Sequence, residues 1–312
     1  MRAVTIRGGR VVVAEHPDPE PAAGDILVRV RAAGLNGADM MQLRGDYPAP
    51  PGAPADIPGL EFAGAVVVCG AGVQRFEPGD RVMGIVAGGG QAELVAVSER
   101  HAMPIPDELD WEAAGGVPEA FTTAHDALFA QLGLGMGERL LVSGAAGGVG
   151  LAAVQLATMA GARVTATVRD EDLRRRVETL GIRAIALDEF ADRGPYDAIL
   201  ELVGAPNMPA NLDALADCGR ISVIGVSAGS VFELDLSVLM ARRGRIHASA
   251  LRSRSLEDKA HAARLVERSV LPGFASGDLS VPVAATFPLG EAAAAYGRFA
   301  AGGKFGKVVL TF

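Results

Sequence analysis

Residues 139–169 have the sequence RLLVSGAAGGVGLAAVQLATMAGARVTATVR, in which a glycine turn separates apolar segments of two kinds. The apolar run 140–142 has the length and composition of a buried parallel strand. Apolar residues recur at helical spacing over 151–160, and Gly161 would end that helix. The β-branched segment 163–168 predicts a second strand. The stretch therefore predicts a strand, a tight turn, a helix and a strand in succession.

The turn at 143–150 consists almost entirely of small residues. A backbone that curves tightly and lets a pyrophosphate approach its amides has little room for larger side chains. The amides at the start of the next helix would face the phosphates, with the helix dipole behind them. We expect a dinucleotide at this variant of the glycine fingerprint, on Ala145, Ala146, Gly147, Gly148 and Val149. A tight turn with close helix packing and no ligand is the alternative interpretation.

The composition excludes several classes of protein. A chain of 312 residues, 49% of them hydrophobic, is long enough for two globular domains with a large core. The net charge of −8 argues against a nucleic-acid partner. We expect no membrane span and no signal segment, and therefore a cytoplasmic protein. The cysteines Cys69 and Cys218 lie far apart and support neither a disulfide framework nor a zinc knuckle.

Two patterns divide the chain. Residues 1 to about 115 contain short strand candidates separated by prolines, glycines and acids, as in a barrel or sandwich. Strands then alternate with helices, which predicts a parallel doubly wound sheet. Ligands bind at the carboxyl ends of such strands, which places Val203 and Gly225 beside the glycine turn. We expect the last strands to return to the first domain, giving domains at 1–117 with 272–312 and at 118–271.

The chain resembles the medium-chain dehydrogenase/reductase superfamily over essentially its whole length. The turn AAGGVG and the terminal GKVVL are similar to superfamily motifs. The segments GLNGADMMQLRGDYP, PGLEFAG, GGGQAELVAV, PEAFTTAHDALF and ALRSRS resemble the zinc-free quinone oxidoreductase branch, which includes zeta-crystallin. The resemblance implies an α/β fold with a β-rich GroES-like catalytic domain, a Rossmann domain and a homodimer. Residues 232–236 alternate like an edge strand that could pair with its mate.

The resemblance also implies that no zinc is bound. Zinc-dependent relatives carry a cysteine and a histidine where this chain has Asn36 and Gly37, and a second histidine where it has Leu60. Neither Asn36 nor Leu60 supplies the thiolate or imidazole that zinc prefers. An acceptor that is already activated by conjugation has less need of a Lewis acid.

Four residues are candidates for catalysis. We expect Asn36 to contact the nicotinamide ribose or the substrate carbonyl, with Asp39 in the same segment, although both could instead cap the helix predicted over 37–43. The resemblance places Tyr47 in the quinone pocket, where its phenol could donate a hydrogen bond or a proton. Arg254 resembles a family arginine that holds the cofactor or the substrate; a solvated salt bridge is the alternative.

The end of the second strand of the glycine-turn unit governs the choice of cofactor. Val168 stands where NAD-dependent relatives place an acid, and Arg169 follows it. The acids at 170–172 are expected to cap and charge the start of the next helix. We therefore predict NADPH, with Arg169 and Arg174 on its 2′-phosphate.

Three further residues are assigned to the cofactor by resemblance. Thr123 matches a threonine near the nicotinamide, although its hydroxyl could be satisfied within its own helix. Phe305 and Lys307 are expected to close over the cofactor from the last strand.

The resemblance implies an NADPH-dependent, zinc-free quinone oxidoreductase, with the hydride chemistry supplied by the cofactor. Reduction of an activated carbon–carbon double bond in an enone, enal or enoyl thioester is the alternative reaction, since both kinds of acceptor take hydride at a conjugated system. An NADPH-binding protein with little turnover, in a structural or sensing role, is a third interpretation.

Overall fold

The first part of the chain consists mainly of strands, and the part after Pro104 alternates strands with helices. A computed structural model describes all residues, 1–312, and divides them into two units. The first unit comprises residues 1–122, 251–302 and 306–312, and the second comprises 123–250 and 303–305.

Fifteen strands and ten α-helices make up the regular structure. The strands are β1 (Arg2–Arg7), β2 (Arg10–Glu15), β3 (Asp25–Gly34), β4 (Glu61–Cys69), β5 (Arg81–Ile85), β6 (Leu94–Ser98), β7 (Ala102–Pro104), β8 (Arg139–Val142), β9 (Arg163–Thr167), β10 (Arg183–Ile185), β11 (Tyr196–Glu201), β12 (Leu215–Val223), β13 (Arg245–Ala248), β14 (Val283–Pro288) and β15 (Lys307–Thr311). The helices are α1 (Gly37–Arg44), α2 (Trp111–Ala114), α3 (Pro118–His125), α4 (Gly148–Met159), α5 (Glu171–Glu178), α6 (Met208–Asp213), α7 (Leu236–Ala241), α8 (Leu256–Ser269), α9 (Leu271–Ala275) and α10 (Ala292–Ala300). None of the helices combines the length and the apolar character needed to cross a membrane.

The first unit is built on a seven-stranded sheet. Its strands are hydrogen-bonded in the order β14-β15-β3-β4-β5-β7, and β6 pairs with the other end of β3. All neighbours are antiparallel except β14 and β15. Along β3, Ile26, Val28 and Val30 alternate with more exposed residues and pack against Phe62 and Val82. The period-two pattern of this strand thus supplies one face of the core.

The second unit is a six-stranded parallel sheet in the order β10-β9-β8-β11-β12-β13. The chain winds outward from β8 through β9 to β10, and then from β11 through β12 to β13. The order therefore reverses between β8 and β11, and ligands of such sheets bind beyond the carboxyl ends of the strands at that reversal. Leu141 and Ile199, which are paired across these two strands, are fully buried.

Several helix and strand boundaries differ from the expected ones. Helix α4 begins at Gly148, three residues before its predicted start, because the glycines of the turn already adopt the first helical turn. The apolar face of residues 119–132 predicts one longer helix, and the structure instead has α3 followed by a π-helical segment, Asp126–Gln131.

The edge strand expected at 232–236 stays a prediction, because its pairing partner would be a second copy of the chain. This segment has no strand partner, and the edge of the sheet is β13. Phe232 and Leu234, the alternate apolar residues of this segment, pack against the core of the second unit.

The units divide at 122/123 and 250/251, whereas the sequence suggested 117/118 and 271/272. Helix α8 lies in the first unit because charged residues tie it to the end of the sheet there. Arg75 pairs with Glu267 at 2.9 Å, and Arg100 pairs with Glu257. Arg264 also donates to the carbonyl of Ala102.

Gly64→Ala should destabilise the first unit. A Cβ on Gly64 would lie 2.2 Å from the carbonyl oxygen of Arg29 on the neighbouring strand β3, so the β3–β4 pair would have to shift. We expect a loss of about 2 kcal/mol or more, seen as a lower melting temperature. Gly24→Ala is the control, because a Cβ there meets nothing within 4 Å. Equal melting temperatures for the two variants would contradict this packing.

Candidate functional site

The glycine turn of the second unit has the geometry of an anion-binding turn. Gly144 follows β8 with φ +65°, a conformation that L side chains rarely adopt. A Cβ on Gly150 would lie 2.6 Å from the Cα of Ala145, so α4 packs directly on the turn. Gly147 is extended and precedes α4, and no side chain caps the first amides of that helix. The helix start is therefore open to an anion, which is the fit that a dinucleotide requires.

Ser143 holds the turn in place. Its Oγ donates to the carbonyl of Leu200 at 3.3 Å and accepts from the N–H of Leu202 at 3.0 Å, which ties the end of β8 to the end of β11. The backbone of the turn is thus fixed from below, while Ala146, Gly147, Gly148 and Val149 stay half-buried and Ala145 is buried.

A buried carboxylate organises the loop after β11, and sequence reasoning missed it. Glu201 is fully buried; its Oε1 accepts from the N–H groups of Val203 at 2.6 Å and Gly204 at 2.8 Å, and its Oε2 accepts from Asn211 at 2.7 Å. The visible signal was an acid directly after the apolar run 198–200 of β11. A Cβ on Gly225 would lie 2.2 Å from the carbonyl oxygen of Leu202, so this loop packs against the end of β12.

The three acids that follow β9, residues 170–172, all contact residues of α5. Asp170 caps the helix by accepting from the N–H of Leu173 at 2.9 Å, which confirms the expected capping. Glu171 and Asp172 both pair with Arg175 on the same helix. The three carboxylates that follow β9 therefore all have contacts within α5.

Basic side chains surround the same strand end. Arg174 reaches back to donate to the carbonyls of Val168 at 3.1 Å and Arg169 at 3.0 Å, and the side chain of Arg169 is exposed. Arg176 stacks on the ring of Phe305, with 4.3 Å between its guanidinium carbon and the ring centroid. Phe305 is therefore buried in the second unit beneath a basic side chain rather than part of the last strand.

The hydroxyl of Thr123 is buried and has no hydrogen-bond partner. The alternative of a hydroxyl satisfied within its own helix is thus not what the structure shows. An unpaired buried hydroxyl leaves a donor and an acceptor for a ligand.

In the first unit, Asp39 caps α1, which is the alternative role predicted for it. Its Oδ2 accepts from the N–H of Asn36 at 2.8 Å, and its Oδ1 accepts from the N–H of Gly59 at 3.1 Å. Gln91 also donates to Asp39, and the hydroxyl of Tyr296 donates to Gln91 at 2.8 Å. Burial raises the pKa of Asp39 to about 6, and the bonds from Asn36 and Gly59 oppose that rise. Asp39 therefore organises the site from the interior.

The amide of Asn36 is fixed by a buried ion pair. Its Nδ2 donates to Glu61 Oε1 at 2.9 Å, and its Oδ1 accepts from Lys307 Nζ at 2.7 Å. Lys307 Nζ lies 2.5 Å from Glu61 Oε1 and also donates to the carbonyl of Leu35 at 3.1 Å. Lys307 is 3% exposed, so its ammonium orients Asn36 inside the first unit, and sequence reasoning found neither this role nor Glu61.

Tyr47 is held by an arginine two residues before the predicted one. Arg252 donates to the carbonyl of Tyr47 at 3.0 Å, to Ala87 at 2.7 Å and to Gln42 Oε1 at 2.7 Å. Its guanidinium lies 5.1 Å from the centroid of the Tyr47 ring. Burial raises the pKa of Tyr47, which is half-buried. Arg254 is also half-buried and stays a prediction.

The residues present do not fit a zinc ion. Asn36 is engaged with Glu61 and Lys307, and Leu60 is a buried apolar residue. No group of three or more histidine, cysteine, aspartate or glutamate side chains is arranged to hold a metal. The polar cluster around Asn36 already contains the ammonium of Lys307, a positive charge that would repel a metal cation.

Lys307→Met should strongly destabilise the protein, because it leaves the carboxylate of Glu61, which is 0% exposed, without its cation. We expect a loss of about 3–5 kcal/mol. The double variant Lys307→Met/Glu61→Leu should recover part of this loss, since it removes both charges. Chemical denaturation of the three proteins measures the effect, and a double variant no more stable than Lys307→Met would contradict the pairing.

Comparison with known proteins agrees with this architecture. The alcohol dehydrogenase GroES-like domain model matches residues 22–107, and the zinc-binding dehydrogenase model matches residues 164–310. A quinone oxidoreductase from Rattus norvegicus is 31% identical over an alignment that covers 99% of this chain and 97% of the relative.

Two solved structures share the whole fold. A mycobacterial protein complexed with NADPH has a TM-score of 0.90 and 26% identity over 100% of both chains. CurK enoyl reductase has a TM-score of 0.87 and 24% identity over 99% of both chains. These likenesses confirm the predicted combination of a GroES-like domain with a Rossmann-like parallel sheet. The chain therefore belongs to the medium-chain dehydrogenase/reductase superfamily, in its quinone oxidoreductase branch.

Proposed function

We propose that this protein is an NADPH-dependent quinone oxidoreductase that works without zinc. The proposal rests mainly on the start of α4, which follows a turn of small residues and has no capping side chain. After the end of the neighbouring strand β9, Arg169 exposes its side chain. The rat relative named a quinone oxidoreductase supports the choice of acceptor.

In this proposal the second unit holds the cofactor. The amides from Ala145 to Val149 bind the pyrophosphate, and Arg169 with Arg174 binds the 2′-phosphate. Val203 and Gly225 line the neighbouring strand ends, and Thr123 offers its unpaired hydroxyl. Bound NADPH supplies the hydride. The mycobacterial neighbour complexed with NADPH supports this cofactor.

The first unit binds and orients the acceptor. Asn36 is held in one orientation by Glu61 and Lys307, so its amide cannot flip. Each terminal nitrogen of Arg252 makes one hydrogen bond and keeps a second N–H for an acceptor oxygen. Tyr47 presents a phenol beside it, and Arg254 is a further candidate for holding substrate or cofactor. Conjugated acceptors need positioning and electrostatic help more than a Lewis acid.

A second candidate is the reduction of activated carbon–carbon double bonds in enones, enals or enoyl thioesters. CurK, which shares the fold, is named an enoyl reductase. The residues proposed to orient a quinone oxygen would orient an enone oxygen in the same way.

We also propose a homodimer. In the second unit β13 is an edge strand, and the preceding segment exposes Val231 by 87%, Leu236 by 62% and Met240 by 75%. A second copy placed on this edge would cover these side chains. Sedimentation equilibrium measures the state directly.

The activity is tested by following NADPH and NADH consumption with a benzoquinone, a phenanthrenequinone and a 2-alkenal in parallel. Faster turnover of quinones with NADPH, unchanged after dialysis against EDTA, supports the proposal. Turnover of the alkenal alone moves the function to double-bond reduction. NADPH binding without turnover of any acceptor identifies a binding protein instead.

Arg169→Ala should weaken NADPH binding about 10- to 100-fold and leave NADH binding nearly unchanged, because only NADPH loses a charge-assisted contact. Arg163→Ala is the matched control, since it removes an exposed arginine from the other end of β9. Isothermal titration of both variants with both cofactors gives the four dissociation constants. Equal losses for NADPH and NADH would remove Arg169 from the 2′-phosphate.

A further inference from the structure

We propose that Glu119 donates the proton that completes the reduction, and that it delivers this proton to the atom of the acceptor that becomes negative when hydride is added. The proposal rests on the proposed function and adds to it a proton donor other than Tyr47, whose phenol the resemblance had offered for this step.

Glu119 is placed by the same carboxylate that orients Asn36. It is the second residue of α3, and its backbone N–H donates to Glu61 Oε2 at 2.9 Å, while Glu61 Oε1 accepts from Asn36 and Lys307. The segment before α3 is also packed closely, since a Cβ on Gly116 would lie 3.0 Å from Lys307 Cγ. The start of α3 is therefore fixed relative to Asn36.

The carboxyl group of Glu119 is not bound to any other group of the protein. It makes no hydrogen bond or ion pair, although the residue is half-buried and partly reachable by solvent. Most buried carboxyl groups of this chain, such as those of Asp39 and Glu201, are held by two or more donors. An unpaired, partly accessible carboxyl group is free to bond to a substrate.

Charged groups on six elements act on this carboxyl group. They are Asp39 of α1, Tyr47 in the loop after α1, Glu61 of β4, Lys307 of β15, Arg252 before α8 and Lys259 of α8. Burial and then the charge of Glu61 raise the pKa of Glu119 to about 8, and Lys307 opposes the rise. Glu119 therefore carries a proton at neutral pH, as a general acid must.

The proton balance follows from the acceptor. Addition of hydride to a conjugated acceptor adds two electrons and leaves a quinol oxyanion or an enolate. The O–H bond of Glu119 then breaks, and a new O–H bond forms on the oxyanion or a new C–H bond on the enolate carbon. Arg252 and Lys259 stabilise the carboxylate that is left, because each is a cation close enough to interact with it. Water returns the proton through the exposed side.

Glu119 suits this step better than Tyr47. Burial raises the pKa of the Tyr47 phenol above its ordinary value of 10.0, so the phenol is a weaker acid than the Glu119 carboxyl group. Tyr47, whose ring lies beside Arg252, is left to bind the acceptor by a hydrogen bond.

Glu119→Gln keeps the shape and removes the proton. We expect the turnover number for the 2-alkenal to fall about 100-fold or more, and that for quinones to fall less, because a quinol oxyanion also takes its proton readily from water. Wild-type activity should decline above about pH 8, and the variant should lack this decline. Glu112→Gln, on the neighbouring helix α2, is the matched control, and NADPH affinity should be unchanged in both variants.

Stability measurements test the proton without any turnover. The folded protein keeps the Glu119 proton up to about pH 8, whereas the unfolded chain loses it near its ordinary pKa of 4.5. Stability therefore falls as the pH rises between these two values, and Glu119→Gln should show a smaller fall than wild type. Should Glu119→Gln fail to fold, infrared spectra of the wild type should still show a protonated carboxylic acid that titrates near pH 8.

The outcomes separate the two proposals. An active wild type and a Glu119→Gln variant with the same alkenal turnover and the same pH profile would overturn the proton-donor role and leave the reductase intact. A carboxyl group that titrates near its ordinary pKa would overturn it as well. A wild type that binds NADPH and reduces no acceptor would overturn the reductase function itself.

Discussion

The buried pair between Glu61 and Lys307 is the interaction on which the first unit's site depends. Strand β4 begins at Glu61 and strand β15 begins at Lys307, and a contact of 2.5 Å joins their side chains where neither is exposed to water. A buried pair of this kind offers little net stability over an apolar pair, but removing one partner is strongly unfavourable. Its value here is geometric, because one carboxylate fixes the amide of Asn36 and the first turn of α3 together.

The second unit is organised by the opposite arrangement, in which polar backbone groups are left open. The start of α4 has no capping side chain, and the turn before it is held from behind by Ser143. Glu201 satisfies the backbone of the neighbouring loop, so that loop keeps its shape without a ligand. The amides at the start of α4 lack partners, whereas the neighbouring loop is already hydrogen-bonded to Glu201. An anion can therefore bind to these amides with little reordering of the protein.

The sequence predicted those parts of the fold that local patterns specify. The glycine turn, the strand β9 and the cap of α5 each depend on residues within a few positions of one another, and all were found. Glu61, Glu119 and Lys307 meet only when strands far apart in the chain pair, so no spacing revealed them. The arginines of ALRSRS show the same limit, because the turn after β13 decides that Arg252 faces inward. Within the chain the apolar residues of 232–236 pack against the core, and the strand pairing predicted for this segment requires a second copy.

The carboxyl groups of the first unit differ because their surroundings differ. Glu61 forms an ion pair and Asp39 accepts two backbone N–H groups, whereas the carboxyl group of Glu119 has no ion pair and no hydrogen bond. Burial acts on both Asp39 and Glu119, yet hydrogen bonds hold the pKa of Asp39 to about 6 while that of Glu119 rises to about 8. At neutral pH this leaves Asp39 ionised and structural, and Glu119 protonated. One cluster thus contains both fixed charges and a transferable proton, which is the separation of pKa values that acid–base chemistry requires.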